Sequence, residues 1–321
     1  MKRSTETSTS DFTPRAAPDH PRSRRVVAVL DLIQTPAFQR RFFFLAKRFI
    51  AGETVAQAMD AVAALNAAGM SATLDFLGED VTAAAEAERT RDANFELLAA
   101  IRTRNVETNV SVKLTAIGLL IDEDFALANL RAVLDAAANN RDPFVRIDME
   151  GTPVTDATLR VFERAYAQTK NVGPVLQAYL KRTPADVERT VELGARVRLC
   201  KGAYAEPPAL AYQDMPTIRR QYLREAETLL ERGNYPGIAT HDERLITAIE
   251  AFARERDIAR DRFEFQLLYG VRPDIQRRLV AEGYRVRIYV PYGTHWAGYF
   301  YRRITERPEN ALFALRSMLA H

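Results

Sequence analysis

Residues 289–310, YVPYGTHWAGYFYRRITERPEN, gather the densest chemistry of the chain: an apolar strand runs into a glycine turn and then a helix carrying adjacent arginines. On that helix Tyr299, Arg302 or Arg303, and Glu306 fall at i, i+3/i+4 and i+7, so they share one face. Such a face suits a carboxylate. Two planar guanidinium forks grip it bidentately, Tyr299 adds a hydroxyl or an apolar wall, and Glu306, four residues after Arg302, steers one arginine. A solvated helix face with an ordinary ion pair fits this segment alone equally well.

Further polar residues recur at the ends of short apolar runs. Lys113 follows Val110 and Val112, Asp148 follows Val145 and Ile147, and Gln177 follows Val175 and Leu176. Arg198 and Lys201 follow Val197, Thr240 and His241 follow Ile238, and Gln266 lies inside a later run. Charged groups at the ends of apolar strands are costly unless they are paired or liganded, so their recurrence points to a site. Singly, each has a plain reading: Lys113 and Asp148 as an ion pair, Gln177 as a satisfied core amide.

The elements that must position these residues are eight β-rich runs. They are SATLDFLG from Ser71, NVSVKLTAIG from Asn109, FVRIDMEG from Phe144, GPVLQAYL from Gly173, RVRLCKGAY from Arg196, PGIATHDE from Pro236, FEFQLLYG from Phe263 and RVRIYVPYG from Arg285. Amphipathic helical patterns lie between them, among them residues 53–68, 82–102, 122–138 and 216–233. Strand-then-helix repeated eight times predicts an α/β fold of the (β/α)8 TIM-barrel type, with a helical lead-in before it and the arginine-pair helix after strand 8. In that fold ligands bind at the C-terminal strand ends, where the polar residues fall. An open doubly wound sheet is the alternative, but the chain contains no G-x-G-x-x-G turn.

With 321 residues and 47% hydrophobic content, one large core is the simplest arrangement. Residues 1–24 are polar, Pro-rich and without apolar periodicity, and read as a disordered tail; residues 25–321 read as a single catalytic barrel domain. The 45 basic and 42 acidic residues are interspersed, net charge +3, which argues against a nucleic-acid surface and leaves room for a peripheral contact with the inner face of the cytoplasmic membrane. No secretory or membrane-spanning stretch is visible, so a cytoplasmic protein is expected. The single Cys200 excludes an internal disulfide, and with four histidines no metal is expected.

The strand-end set, taken in order, resembles the proline dehydrogenases over residues 73–310. The resemblance is carried by LDFLGE ending at Glu79, VKLTAIG around Lys113, RIDMEG around Asp148, VLQAYLKR around Gln177, RLCKGAY at residues 198–204, ATH ending at His241, FEFQLLYG from Phe263 and the arginine-pair helix. It implies FAD-dependent oxidation of L-proline to 1-pyrroline-5-carboxylate, the first step of proline degradation, with hydride passing to flavin N5 and electrons on to a membrane quinone. Arg302, Arg303 and Lys113 would hold the proline carboxylate, while Tyr289, Tyr299 and Leu268 would wall the pyrrolidine ring. Gln177, Arg198, Lys201, Gly202, Ala203, Thr240 and His241 match flavin-binding positions, with Met149 beside them. Asp148 matches an active-site carboxylate able to orient Lys113 or Arg198, and Arg198 is the cation that would stabilise negative charge on the reduced flavin. Glu79 matches a gate residue able to pair with Arg302.

The sequence carries neither the DNA-binding extension nor the aldehyde dehydrogenase domain of fused bifunctional relatives, so it resembles the monofunctional type, whose product passes to a separate 1-pyrroline-5-carboxylate dehydrogenase. Competing readings are a methylenetetrahydrofolate reductase-like flavin barrel, a hydroxyproline-preferring relative, and a non-catalytic barrel that binds an anion through Arg302 and Arg303. Cys200 reads as a small buried hydrophobe.

Overall fold

The structure, a computed structural model, describes residues 48–296 and Tyr299. The expected tail, the lead-in before residue 48, and Arg302, Arg303 and Glu306 lie outside the described residues. Helix α1 (Val55–Ala67) opens on a capping box in which Gln57 N donates to Thr54 Oγ and Thr54 N donates back to Gln57 Oε1. It leads into β1 (Ser71–Phe76), α2 (Ala84–Arg104) and β2 (Thr108–Val112). Then follow α3 (Glu123–Ala137), β3 (Val145–Ile147), α4 (Thr152–Tyr166), β4 (Val172–Gln177), α5 (Thr183–Leu193) and β5 (Arg198–Cys200). The series continues with α6 (Met215–Arg232), β6 (Gly237–Ala239), α7 (Glu243–Glu255), β7 (Glu264–Leu268), α8 (Pro273–Ala281) and β8 (Arg285–Tyr292). Each of the eight runs contains a strand, and the four helices expected from periodicity are α1, α2, α3 and α6, with ends moved by one or two residues.

All eight strands pair in parallel in chain order and close into a barrel, β8 returning to β1 in the register Ser71↔Arg287 to Phe76↔Tyr292. Alternation along each strand sorts the residues. Val110, Val112, Val145, Ile147, Phe265, Leu267, Ile288 and Val290 are fully or nearly fully buried in the apolar core cluster, together with helix residues such as Leu97, Leu130, Phe162, Leu229, Ile249 and Leu279. The alternate positions reach one another across the barrel, as shown by Tyr289 on β8 hydrogen bonding to Asp148 at the end of β3. These inward positions are unusually polar for a fold whose lumen is ordinarily filled by branched apolar side chains: Thr73, Asn109, Ser111, Arg146, Arg198, Glu264, Gln266 and Arg287 are all buried there.

Residues 48–52 clasp the C-terminal end of the barrel. Ala51 N donates to Pro291 O and Gly293 N to Gly52 O, each at 3.0 Å. Gly270, in the turn after β7, packs so closely on this segment that a Cβ there would stand 1.6 Å from the Arg48 carbonyl oxygen. Gly270 also has φ +70°, so its glycine is required on both counts.

Candidate active site

A cavity of about 510 Å³ opens at the C-terminal ends of the strands. Its walls include Lys113, Asp148, Met149, Gln177, Arg198, Lys201, Gly202, Ala203, Thr240, His241, Leu268, Tyr289 and Tyr299. Strand geometry explains the convergence: residues at the last inward position of each strand, or one step beyond it, project into the same mouth.

Asp148 is the hub of the cavity floor. Its Oδ1 accepts from Ser111 Oγ at 2.6 Å and from an Arg198 terminal nitrogen at 2.8 Å, and its Oδ2 accepts from Tyr289 hydroxyl at 2.6 Å. Arg198 in turn lies over the Tyr289 ring, 5.1 Å from its centroid, and donates from Nε to Gln266 Oε1. Burial, reinforced by the Asp148 carboxylate, pushes the Tyr289 hydroxyl well above the ordinary tyrosine value, so it stays a donor. Asp148 thus orients Arg198, whereas Lys113 has another partner. Its ammonium lies 3.0 Å from Asp75, the last inward residue of β1. Burial opposes the charge on Lys113, but the carboxylates of Asp75 and Asp148 outweigh it and hold the ammonium above the usual lysine range. Lys113 is therefore a fixed cation at the cavity wall.

Glu150, just past β3, is buried and pushed up to about 7 by that burial. It accepts from Thr115 N at 3.2 Å and Thr115 Oγ at 2.5 Å, and Thr115 Oγ accepts in turn from Asp80 N at 3.0 Å. Val81 N donates to Thr115 O. The loop that carries Glu79 is thereby tied down through Asp80, whose own backbone takes the left-handed φ of +60°. Glu79 lies close enough to raise the affinity of both Lys113 and Glu150 for protons.

On the adjacent strand β4, Gln177 Nε2 donates to Glu150 O at 3.0 Å. Lys201 Nζ and Arg219 Nε, at 2.9 and 2.7 Å, share one oxygen of Asp242. Burial works against the Asp242 charge, but the two cations outweigh it and hold the carboxyl below its usual value. Two cations on a single anion leave this edge of the cavity positive. Leu268 N donates to His241 Nε2 at 2.9 Å, an arrangement that places the proton of the neutral ring on Nδ1, and Asp242 N donates to Thr240 Oγ. Gly202 has φ +114°, and a Cβ there would meet the Tyr179 ring at 2.1 Å, so what requires glycine is the packing of Tyr179 under the loop. Cys200 lines the cavity and is not a fully buried filler; burial pushes its thiol up to about 12, which keeps it neutral.

The sequence model of the proline dehydrogenase family matches residues 58–315, four-fifths of the chain, barrel and cavity included. The chain belongs to the proline dehydrogenase family. It is 40% identical over 274 residues to proline dehydrogenase 1 of Bacillus subtilis, covering 85% of this chain and 90% of that enzyme. It is 39% identical to proline dehydrogenase of Deinococcus radiodurans over 301 residues, 91% of this chain and 97% of that one. Among solved structures, it is similar to proline utilization A from Bdellovibrio bacteriovorus inactivated by N-propargylglycine, with TM-score 0.77 and 27% identity over 83% of this chain and 33% of the larger one. It is thus a proline dehydrogenase, acting in the first step of proline catabolism.

Within this proline dehydrogenase, every described residue that sequence reasoning offered for the site lines the cavity except Glu79, which stands on the loop beside it. Arg302 and Arg303 lie outside the described residues. Sequence reasoning missed Asp75, Ser111, Glu150, Glu264, Asp242 and Arg219. Asp75 was inside a quoted run, and its signal was a carboxylate in an otherwise apolar strand. No helix among the described residues is long and apolar enough to cross a membrane.

Proposed function

We propose that the chain oxidises L-proline to 1-pyrroline-5-carboxylate with non-covalently bound FAD, and that a membrane quinone takes the electrons onward. The observation that carries this reading is the pairing of two fixed cations, Lys113 and Arg198, with the apolar faces of Leu268, Tyr289 and Tyr299 around one cavity. That combination suits an apolar ring bearing a carboxylate beside a larger planar ligand. The residues also fit the cofactor: the positive edge formed by Lys201, Arg219 and Asp242 matches a pyrophosphate, and Gln177, Thr240 and His241 offer hydrogen bonds. When bound, the flavin supplies the hydride acceptor.

The chain's own residues do the rest. Arg302 and Arg303, with Lys113, take the proline carboxylate, and the ring is walled by Leu268, Tyr289 and Tyr299. The proline nitrogen must be neutral before its neighbouring carbon loses hydride. The two carboxylates at the cavity floor are engaged, Asp75 with Lys113 and Asp148 with Ser111, Arg198 and Tyr289, and the amine proton leaves to solvent before the ring is enclosed. Arg198, fixed by Asp148, places positive charge where the acceptor becomes electron-rich. Glu79 and Arg302 close the mouth and exclude water. The product then passes to a separate 1-pyrroline-5-carboxylate dehydrogenase by transient contact, and the protein works at the cytoplasmic membrane surface.

The deciding experiment is spectroscopic. The purified protein should be yellow, release all its flavin on denaturation, and bleach anaerobically on adding L-proline. A soluble quinone analogue should then support turnover while NAD does not. A colourless protein, or a flavin spectrum that proline leaves unchanged, overturns the reading.

A further inference from the structure

A column of polar side chains descends from the cavity through the barrel interior, and one residue in it joins the mouth to the floor. Arg198 Nε donates to Gln266 Oε1, and Gln266 Nε2 donates to Glu264 Oε1 at 2.6 Å. Glu264 is itself pinned: its Oε1 also accepts from Arg287 Nε at 2.7 Å and its Oε2 from the Tyr235 hydroxyl at 3.1 Å. Burial opposes the charge on Glu264, and the Arg287 guanidinium outweighs it, so the carboxyl is held below its usual value. Arg287 is anchored further down by the Ala72 carbonyl at 2.7 Å and by Asp142 at 3.3 Å.

The chemistry of these groups dictates the residue type at position 266. Arginine Nε is only a donor and an ionised carboxylate only an acceptor, so the group between them must accept at one end and donate at the other. A primary amide does both. The Glu264 carboxylate fixes which way it points, because the reversed amide would set oxygen against oxygen below and nitrogen against nitrogen above. Space is reserved for it as well. Gly237, beside it on β6, would place any Cβ 2.4 Å from Gln266 Nε2.

We propose that Gln266 is a positioning residue for Arg198: its one-way amide, locked by Glu264, sets where the guanidinium charge stands in the cavity. Asp148 and Gln266 hold two separate nitrogens of Arg198, Nε and one terminal nitrogen, and the two contacts together remove its rotational freedom. The inference rests on the reading that a flavin and proline occupy the cavity, with Arg198 beside the flavin.

Two variants test it in the flavin-loaded protein. Gln266→Met keeps the length and removes the relay. It should lower kcat about tenfold while KM for proline changes by less than about twofold, and it should make the midpoint potential of the bound flavin more negative. Gln266→Glu keeps the shape, and while the introduced acid holds its proton it reproduces the amide, donating to Glu264 and accepting from Arg198. It should therefore show a kcat that falls with rising pH through an ionisation absent from the parent enzyme, and this profile decides the matter if Gln266→Met does not fold. Combining Gln266→Met with Arg198→Lys should cost no more than Arg198→Lys alone. An unchanged potential in Gln266→Met, losses that simply add, or a Gln266→Glu profile that matches the parent overturns the proposal. These outcomes are read only on yellow protein that proline bleaches, so a parent enzyme that fails that requirement refutes the functional reading and not the role of Gln266.

Discussion

Lys113 and Asp75 form an ion pair whose members are 9% and 2% exposed, the ammonium 3.0 Å from the carboxylate. Neither charge has water to fall back on. Asp75→Asn keeps the shape but leaves the lysine's charge partly uncompensated, so it should lower the unfolding free energy by about 3–5 kcal/mol. Adding Lys113→Met should return most of that stability while abolishing tight proline binding. Urea denaturation of the three variants checks this; a double variant no more stable than Asp75→Asn would contradict it.

Tyr289 meets the cavity with its ring and Asp148 with its hydroxyl. Tyr289→Phe keeps the wall and deletes the donor, which leaves Asp148 Oδ2 without a partner among the described residues. The expected loss in kcat/KM is about tenfold, the size of one hydrogen bond to a charged group. A loss of less than about twofold would assign the ring, and not the hydroxyl, the main role.

Glu225 on α6 is 3% exposed, and neither carboxylate oxygen has a hydrogen-bond partner among the described residues. Burial, and then the Asp186 carboxylate, push it up to about 9 from an ordinary 4.5. Between those values the folded chain holds a proton that the unfolded chain has released, so stability is present at low pH and is lost as pH rises, by about 1.4 kcal/mol per unit within the window. Glu225→Gln should remove the slope. Its melting temperature should exceed that of the parent at pH 8 by several degrees more than at pH 5, and an equal difference at both values would be the contrary result.

Glu79 belongs to the loop after β1, and β1 is paired with β8, beyond which the arginine helix is expected. If Glu79 and Arg302 form a lid contact, Glu79→Ala should lower kcat/KM with flavin retained, and its loss should not add to that of Arg302→Ala. Strictly additive losses in the cycle mean a surface pair worth under about 1 kcal/mol.

Arg303→Lys keeps the charge and loses the planar fork. A rise in KM for proline equivalent to about 1–3 kcal/mol is expected, measured by steady-state kinetics with a quinone analogue. An unchanged KM places this arginine away from the substrate carboxylate.

The alternation of strands and helices was readable because each strand carries an outward apolar face and the helices alternate apolar and polar positions, three of them opening on a side-chain cap at Thr54, Asp122 and Asp214. The strand-end residues were readable for the same reason, since Lys113, Asp148 and Gln177 break apolar runs where the barrel opens. Partnerships were not. Asp148 is in reach of either Lys113 or Arg198 on sequence alone, and only the inter-strand register, which sets Asp75 against Ser111 on β2, hands Lys113 to Asp75. The polar column below the cavity left a period-two trace in FEFQLL and RVRIYV, but alternation by itself does not say which face turns inward.

The clasp made by residues 48–52 ties the start of the chain's described portion to the turns after β7 and β8, the last two strands of the barrel. During translation those early backbone groups must wait for partners more than 200 residues downstream, so the active-site end is completed only when the whole barrel has emerged. A circular permutant opened near residue 50 would cut this late seam. One opened in the α7–β7 connection, at exposed residues such as Asp261, would preserve it and should fold with its mouth intact.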